Sequence, residues 1–144
     1  LQLLFEECIR ANLPLACMMV DADGFKVIND TFGHDAGDVV LKRLAQELNY
    51  SVRSDDIVCR LGGDEFIVLL PHADQSTAAK LIITLKELFH LDNQYHASLP
   101  ISVAIGTATS EPYESLEDVL KRADDQMYVE KKRFYAKKVL FANH

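Results

Sequence analysis

A chain of 144 residues, 49% hydrophobic and 26% charged, can bury one core without staples and has the balance of a soluble globular domain. Its formal net charge of −7 argues against a general binder of DNA or of anionic membrane, either of which would want a basic face. No apolar run approaches the roughly 20 residues of a bilayer span and no signal peptide opens the chain. A cytoplasmic setting without direct membrane contact is therefore expected, with an anchor in a longer parent protein left open. Cys8, Cys17 and Cys59 are odd in number and lie in apolar surroundings, so they read as buried thiols of a reducing compartment.

In chain order, Leu1 to about Leu13 predicts a helix with Leu4, Cys8 and Ile9 on its apolar side, ended by Pro14. Leu15 to Val20 is apolar on both parities, as a central strand covered on both faces should be. Asp21-Ala22-Asp23-Gly24-Phe25-Lys26 breaks that run with carboxylates at i and i+2, which share a side if the strand persists. A polar passage leads to Gly33-His34-Asp35. A helix follows from about Ala36 to Val52, striped by Val40, Leu41, Leu44, Ala45 and Leu48. Asp35 and Asp38 fall at its N-cap and third position, where the helix dipole alone would favour an acid.

Arg60 to Leu70 reads as a β-hairpin, closed by Pro71, with Gly62-Gly63-Asp64-Glu65 at its tip. Glycines there let a ligand approach the backbone closely. A helix from about Gln75 to Phe89, a strand through Ile101, Val103 and Ile105 to Gly106, and a helix from about Ser115 to Arg133 complete the pattern. Val139 to Phe141 is expected as a last edge strand, and Phe25, Phe66 and Tyr128 as core aromatics. The expected fold is an α/β (α+β) sandwich: a ferredoxin-like βαββαβ core with added helices and an edge strand, one domain over residues 1–144. Sequential strands tend to be neighbours, which would bring Asp21, Asp23, Asp64 and Glu65 together. Carboxylates without a matching base repel one another. A divalent cation relieves that, and hard oxygen ligands with room for water and phosphate favour Mg²⁺. The alternative is a set of solvated loop acids.

Asp21-Ala22-Asp23-Gly24-Phe25-Lys26 through Asn29-Asp30, Phe32-Gly33-His34-Asp35-Ala36-Gly37-Asp38 and Gly62-Gly63-Asp64-Glu65-Phe66 resemble the GGDEF family of diguanylate cyclases. Ile101 to Gly106 and Ala123 to Lys131 resemble its later blocks, so the likeness covers nearly the whole chain. It implies a palm-like nucleotide cyclase that condenses two GTP into cyclic di-GMP and two pyrophosphates. By resemblance, Asp21, the carbonyl of Ala22 and Asp64 hold Mg²⁺ (Mn²⁺ as the alternative), and Glu65 completes the acidic site. Asp64 accepts the proton of the attacking 3′-hydroxyl, and Lys26 offsets charge on the phosphates. Asn29 and Asp38 bond the guanine edge, His34 lies near the nucleotide and Leu41 lines the base pocket. The backbone at Gly24, Phe25, Gly62 and Gly63 meets substrate, and Lys131 reaches phosphate. These parts suit phosphoryl transfer, which is mostly positioning and charge neutralisation.

Arg53 and Asp56 match the family's RxxD inhibitory site for cyclic di-GMP, although an Arg and an Asp at i and i+3 also make an ordinary surface ion pair. The resemblance further implies a homodimer for catalysis and an upstream sensory region. The alternative function is a weak or inactive module that binds GTP or cyclic di-GMP and regulates an attached phosphodiesterase domain or partner. The chain departs from the pattern in four places. The family's opening wide turn is missing, so a domain truncated there and excised from a longer protein is expected. Phe134-Tyr135 stands where the family runs to Gly-Arg, Gln126 replaces a small residue, and the helix after the hairpin offers Lys80 and Lys86 but no arginine.

Overall fold

Six apolar residues with no polar parity, Leu15 to Val20, build the middle of a sheet: strand β1 (Leu15–Ala22) is buried along its whole length. The computed structural model describes residues 2–142, and the surroundings of side chains through residue 137. Helix α1 (Gln2–Arg10) precedes β1, and helices α2 (Phe25–Phe32) and α3 (His34–Ser51) follow it. Then come the hairpin β2 (Ile57–Gly62) and β3 (Glu65–Pro71), helix α4 (Gln75–Tyr95), strand β4 (Val103–Thr109) and helix α5 (Leu116–Ala142). The sheet order is β2-β3-β1-β4, with every neighbouring pair antiparallel. That is the expected βαββαβ core, with the first crossover made of two helices.

The alternation of β1 assigns two layers. Ala16, Met18, Val20 and Ala22 join Val40, Leu44 and Leu48 of α3 and Leu85 and Phe89 of α4 in one core. Leu15, Cys17 and Met19 join Phe5 and Cys8 of α1 and Val119, Ala123 and Met127 of α5 in the other. Asp21 continues the second parity and so ends on the α5 side. Gly106 fixes how close α5 lies, because a Cβ there would stand 2.0 Å from the carbonyl oxygen of Ala123.

Several expectations need correction. Val139 to Phe141 is not an edge strand. The sequence from Ser115 to Ala142 holds no Gly or Pro, so nothing stops α5, which runs on through these residues. The passage before Gly33 is helical, because Phe25 and Ile28 pack on the first core and let α2 form. Gly33, not Asp35, caps α3, and no side chain bonds its first turn. Ile9 is exposed while Phe5 takes its place inside. Cys8 and Cys17 are buried free thiols, but Cys59 on outer strand β2 is only half-buried. Burial pushes the Cys17 thiol up to about 12, which leaves it unreactive. No helix among the described residues is long and apolar enough to cross a membrane.

Candidate active site

The carboxylates are brought together by register. Asp21, the last acid of β1, stands opposite Glu65, the first residue of β3, and the N–H of Ala22 donates to the carbonyl of Asp64 at 3.4 Å. The Asp64 carboxyl lies within hydrogen-bonding reach of that of Asp21. The tip between the strands uses backbone that only glycine adopts freely, with Gly62 at φ +146° and Gly63 at φ +53°. Arg60 braces it, donating from Nε and Nη2 to the Gly63 carbonyl at 3.1 and 2.7 Å. The sequence reading missed this role, whose only signal is a lone base inside an apolar hairpin.

Asp21 and Asp23 are 3% and 7% exposed. Desolvation raises the Asp21 carboxyl most, the Asp64 carboxyl raises it further, and Lys131 opposes both; the result is about 7. Asp23 is also raised, by burial first, although the Ser102 hydroxyl donates to its Oδ2 at 2.8 Å. The N–H of Asp23 donates in turn to the Ser102 carbonyl at 2.8 Å, which fixes the turn after β1. Oδ1 of Asp21 and Oδ1 of Asp23 are buried with no partner. Unpaired buried carboxylate oxygens are costly, and a bound cation would relieve that cost. Among the described residues no three His, Cys, Asp or Glu side chains are arranged to enclose a metal. A site with so few protein ligands fits Mg²⁺, which keeps waters and takes substrate phosphate oxygens.

From the other side comes α5. Lys131 Nζ donates to Asp21 Oδ2 as an ion pair. Burial works to lower the Lys131 amine, but the carboxylates of Asp21 and Asp64 outweigh it and the net shift is upward. Asp21, Glu65, Asp124, Tyr128, Lys131 and Tyr135 line a cleft of about 490 Å³. Tyr128 is therefore no core residue: it is more than half exposed, with the Lys132 amine 4.7 Å from its ring centre. Gln126, unusual by the family pattern, has its own task. Its Oε1 accepts from the Thr107 N–H at 2.6 Å and occupies a donor on the outer strand β4.

The remaining expected residues lie on α2 and α3, which pack against each other. Gly24 leads into α2, and Lys26 is exposed on its first turn. The Phe25 ring packs against the core. Asn29 is half-buried, His34 and Asp38 are exposed on the first two turns of α3, and Leu41 is buried beneath them. Arg53 and Asp56 belong to neither group. Arg53 donates through its backbone N–H to Asp56 Oδ2 at 2.7 Å, and Nη2 reaches Asp56 Oδ1 at 3.2 Å and the Pro71 carbonyl at 2.9 Å. Pro71 and Glu65 end β3 at opposite limits, so this pair sits roughly 20 Å from the acids.

A buried arginine outside the expected set steadies the frame. Arg43 pairs with Asp92 and donates from Nη1 to the Leu99 carbonyl at 2.6 Å, while Asn93 bonds both the N–H and the carbonyl of Ile101. Together they hold the segment that presents Ser102 to Asp23.

A βαββαβ sheet with acids at the meeting of β1 and the hairpin is the palm-like architecture. The sequence profile described as "Diguanylate cyclase, GGDEF domain" matches residues 1–135, and the chain belongs to the GGDEF family. It is 35% identical over 127 residues to diguanylate cyclase DosC of Escherichia coli, covering 86% of this chain and 28% of that protein. The chain thus spans under a third of the length of such curated relatives. Among solved structures it resembles the active GGEEF domain of a diguanylate cyclase from Vibrio cholerae, with TM-score 0.84, 30% identity, and 92% and 85% of the two chains covered. It also resembles the GGDEF domain of DgcB from Caulobacter crescentus in complex with c-di-GMP, with TM-score 0.80, 28% identity, and 92% and 80% covered.

Proposed function

We propose that the chain is the catalytic domain of a diguanylate cyclase. Two copies, each holding one GTP, face each other and join the nucleotides into cyclic di-GMP with release of two pyrophosphates. The observation that carries this reading is the acidic end of β1, where Asp21 meets Asp64 and Lys131 and leaves a buried oxygen unpaired. Asp21, Asp64 and the Ala22 carbonyl would hold Mg²⁺, or Mn²⁺, with Glu65 completing the set. When bound, the cation neutralises phosphate charge and acidifies a neighbouring hydroxyl.

Asp64 accepts the proton of the 3′-hydroxyl as that oxygen bonds to the α-phosphorus of the partner's GTP and pyrophosphate leaves. Lys26 and Lys131 offset the charge that grows on the phosphate oxygens. The N–H groups of Gly24, Phe25 and Lys26 open α2 and face phosphate as a helix start does. Asp38 accepts from the guanine N1 and N2 donors, Asn29 bonds the same base, Leu41 backs it and His34 flanks it. Adenine would leave these groups unpaired.

Arg53 and Asp56 form the product-inhibition site, well apart from the chemistry, with the Arg53 side chain 53% exposed. The domain works in the cytoplasm under an upstream sensory region that brings two copies together. A second reading, nucleotide binding without turnover in service of an attached phosphodiesterase, draws on Tyr135, which lines the cleft where the family carries arginine. Product formation from GTP separates the two: cyclic di-GMP supports the first, and GTP binding without product supports the second.

A further inference from the structure

Asn29 of α2 carries a half-explained atom. Its Oδ1 is buried and has no hydrogen-bond partner. The reason lies across the helix pair. Gly37, buried where the first turn of α3 closes, has no side chain, and a Cβ built there would stand 1.9 Å from Asn29 Oδ1 and 3.0 Å from its Cγ. The next nearest atom is Cε2 of Phe25 at 3.3 Å. The space a side chain would fill at position 37 is occupied by the Asn29 amide.

Nothing in the local backbone asks for glycine here. Gly37 does not have a positive φ, and its N–H bonds the Gly33 carbonyl at 3.3 Å as in an ordinary helix turn. Glycine is a poor helix former, so a residue that lowers helix propensity at this position needs another purpose. The oxygen end of the amide lies against the first turns of α3, where the helix's partial positive charge suits it. Nδ2 makes no hydrogen bond within the described residues and is left as the donor for a ligand.

We propose that Gly37 is a specificity-determining positioning residue: its missing side chain is the seat that turns the Asn29 amide toward the guanine edge. Gly37 touches no substrate and acts through Asn29. This rests on the reading of Asn29 as a guanine contact.

The test is a double-mutant cycle on the chain, read by calorimetry with 3′-deoxy-GTP, which lacks the attacking hydroxyl, and with inorganic triphosphate as the phosphate-only probe. Gly37→Ala should weaken 3′-deoxy-GTP roughly threefold to tenfold, the loss of one base hydrogen bond, and leave triphosphate binding unchanged. Added to Asn29→Ala, the same substitution should cost nothing more, and the double variant should melt higher than Asn29→Ala because alanine suits the helix. Equal losses from Gly37→Ala in both backgrounds would overturn the proposal, since damage to α3 would then be the cause. Unchanged nucleotide binding in Gly37→Ala beside a loss in Asn29→Ala would also overturn it, while sparing the guanine contact. Unchanged binding in Asn29→Ala would remove that contact and the proposal with it. Should Gly37→Ala fail to fold, a folded Asn29→Ala/Gly37→Ala double variant supports the collision, and an unfolded one refutes it.

Discussion

Lys131 of α5 and Asp21 of β1, 110 residues apart in the chain, share an ion pair in which the amine holds Oδ2 and leaves Oδ1 without a partner. The lysine supplies the positive charge that this buried carboxylate needs, on the oxygen beside the one a cation would take. The same carboxylate therefore has two claims on positive charge, one met by the chain and one open to a ligand.

Lys131→Met removes the first claim. Above neutral pH, where Asp21 is ionised, the variant should lose about 1–3 kcal/mol of stability in the absence of divalent ions, the usual consequence of stranding a buried acceptor. Mg²⁺ should then stabilise it more than it stabilises the parent. Urea unfolding with EDTA and with Mg²⁺ measures both differences.

The pH dependence follows from the same carboxyl. Asp21 is raised from its ordinary 3.8 to about 7 in the folded chain, so between those values the folded state binds the extra proton. Without metal, its contribution to stability is therefore fully present below the unfolded value and is lost as pH rises through the folded one. In EDTA, stability should fall across that window by up to about 1 kcal/mol per pH unit. Asp21→Asn should flatten the slope, as read by unfolding midpoints at stepped pH.

Ser102→Ala takes away the hydroxyl that donates to Asp23 Oδ2 at 2.8 Å, and Asp23 Oδ1 already lacks a partner. Stability should drop by about 1–3 kcal/mol. Thermal melts test that, and Mn²⁺ titration in the presence of 3′-deoxy-GTP tests the expected weaker cation binding as the turn after β1 loosens.

Arg53→Ala keeps the backbone N–H that caps Asp56, so the loop should hold its shape. The ion pair it removes joins a half-exposed Arg53 to an Asp56 side chain only 2% exposed, so its loss should cost about 1–3 kcal/mol. Binding of cyclic di-GMP by calorimetry should vanish while GTP binding stays. Unchanged product binding would remove the inhibitory-site reading.

The hairpin and the central strand were readable from the chain because both patterns are local: apolar residues on both parities for β1, and two apolar runs about Gly62-Gly63 for β2 and β3. The meeting of Asp21 with the Asp64-Glu65 tip followed from strand adjacency. Helix α2 was not readable, since eight residues make too short a stripe and its stability comes from packing Phe25 and Ile28. The end of α5 is not legible locally, because Val139 to Phe141 is β-prone in isolation while the helix before it has no stop. The Arg43 clamp, the Ser102–Asp23 bond and the Gly37–Asn29 contact join segments far apart or on different helices, and no spacing rule announces them.

The most direct measurement incubates the chain with GTP and Mg²⁺ over rising protein concentration, beside Asp64→Ala, and follows cyclic di-GMP and pyrophosphate. Two facing copies predict one cyclic di-GMP for two pyrophosphates, a rate per chain that climbs with concentration, and no product from the variant. If the chain binds 3′-deoxy-GTP yet forms no product from GTP even when two copies are fused, or if Asp64→Ala turns over like the parent, the account is contradicted.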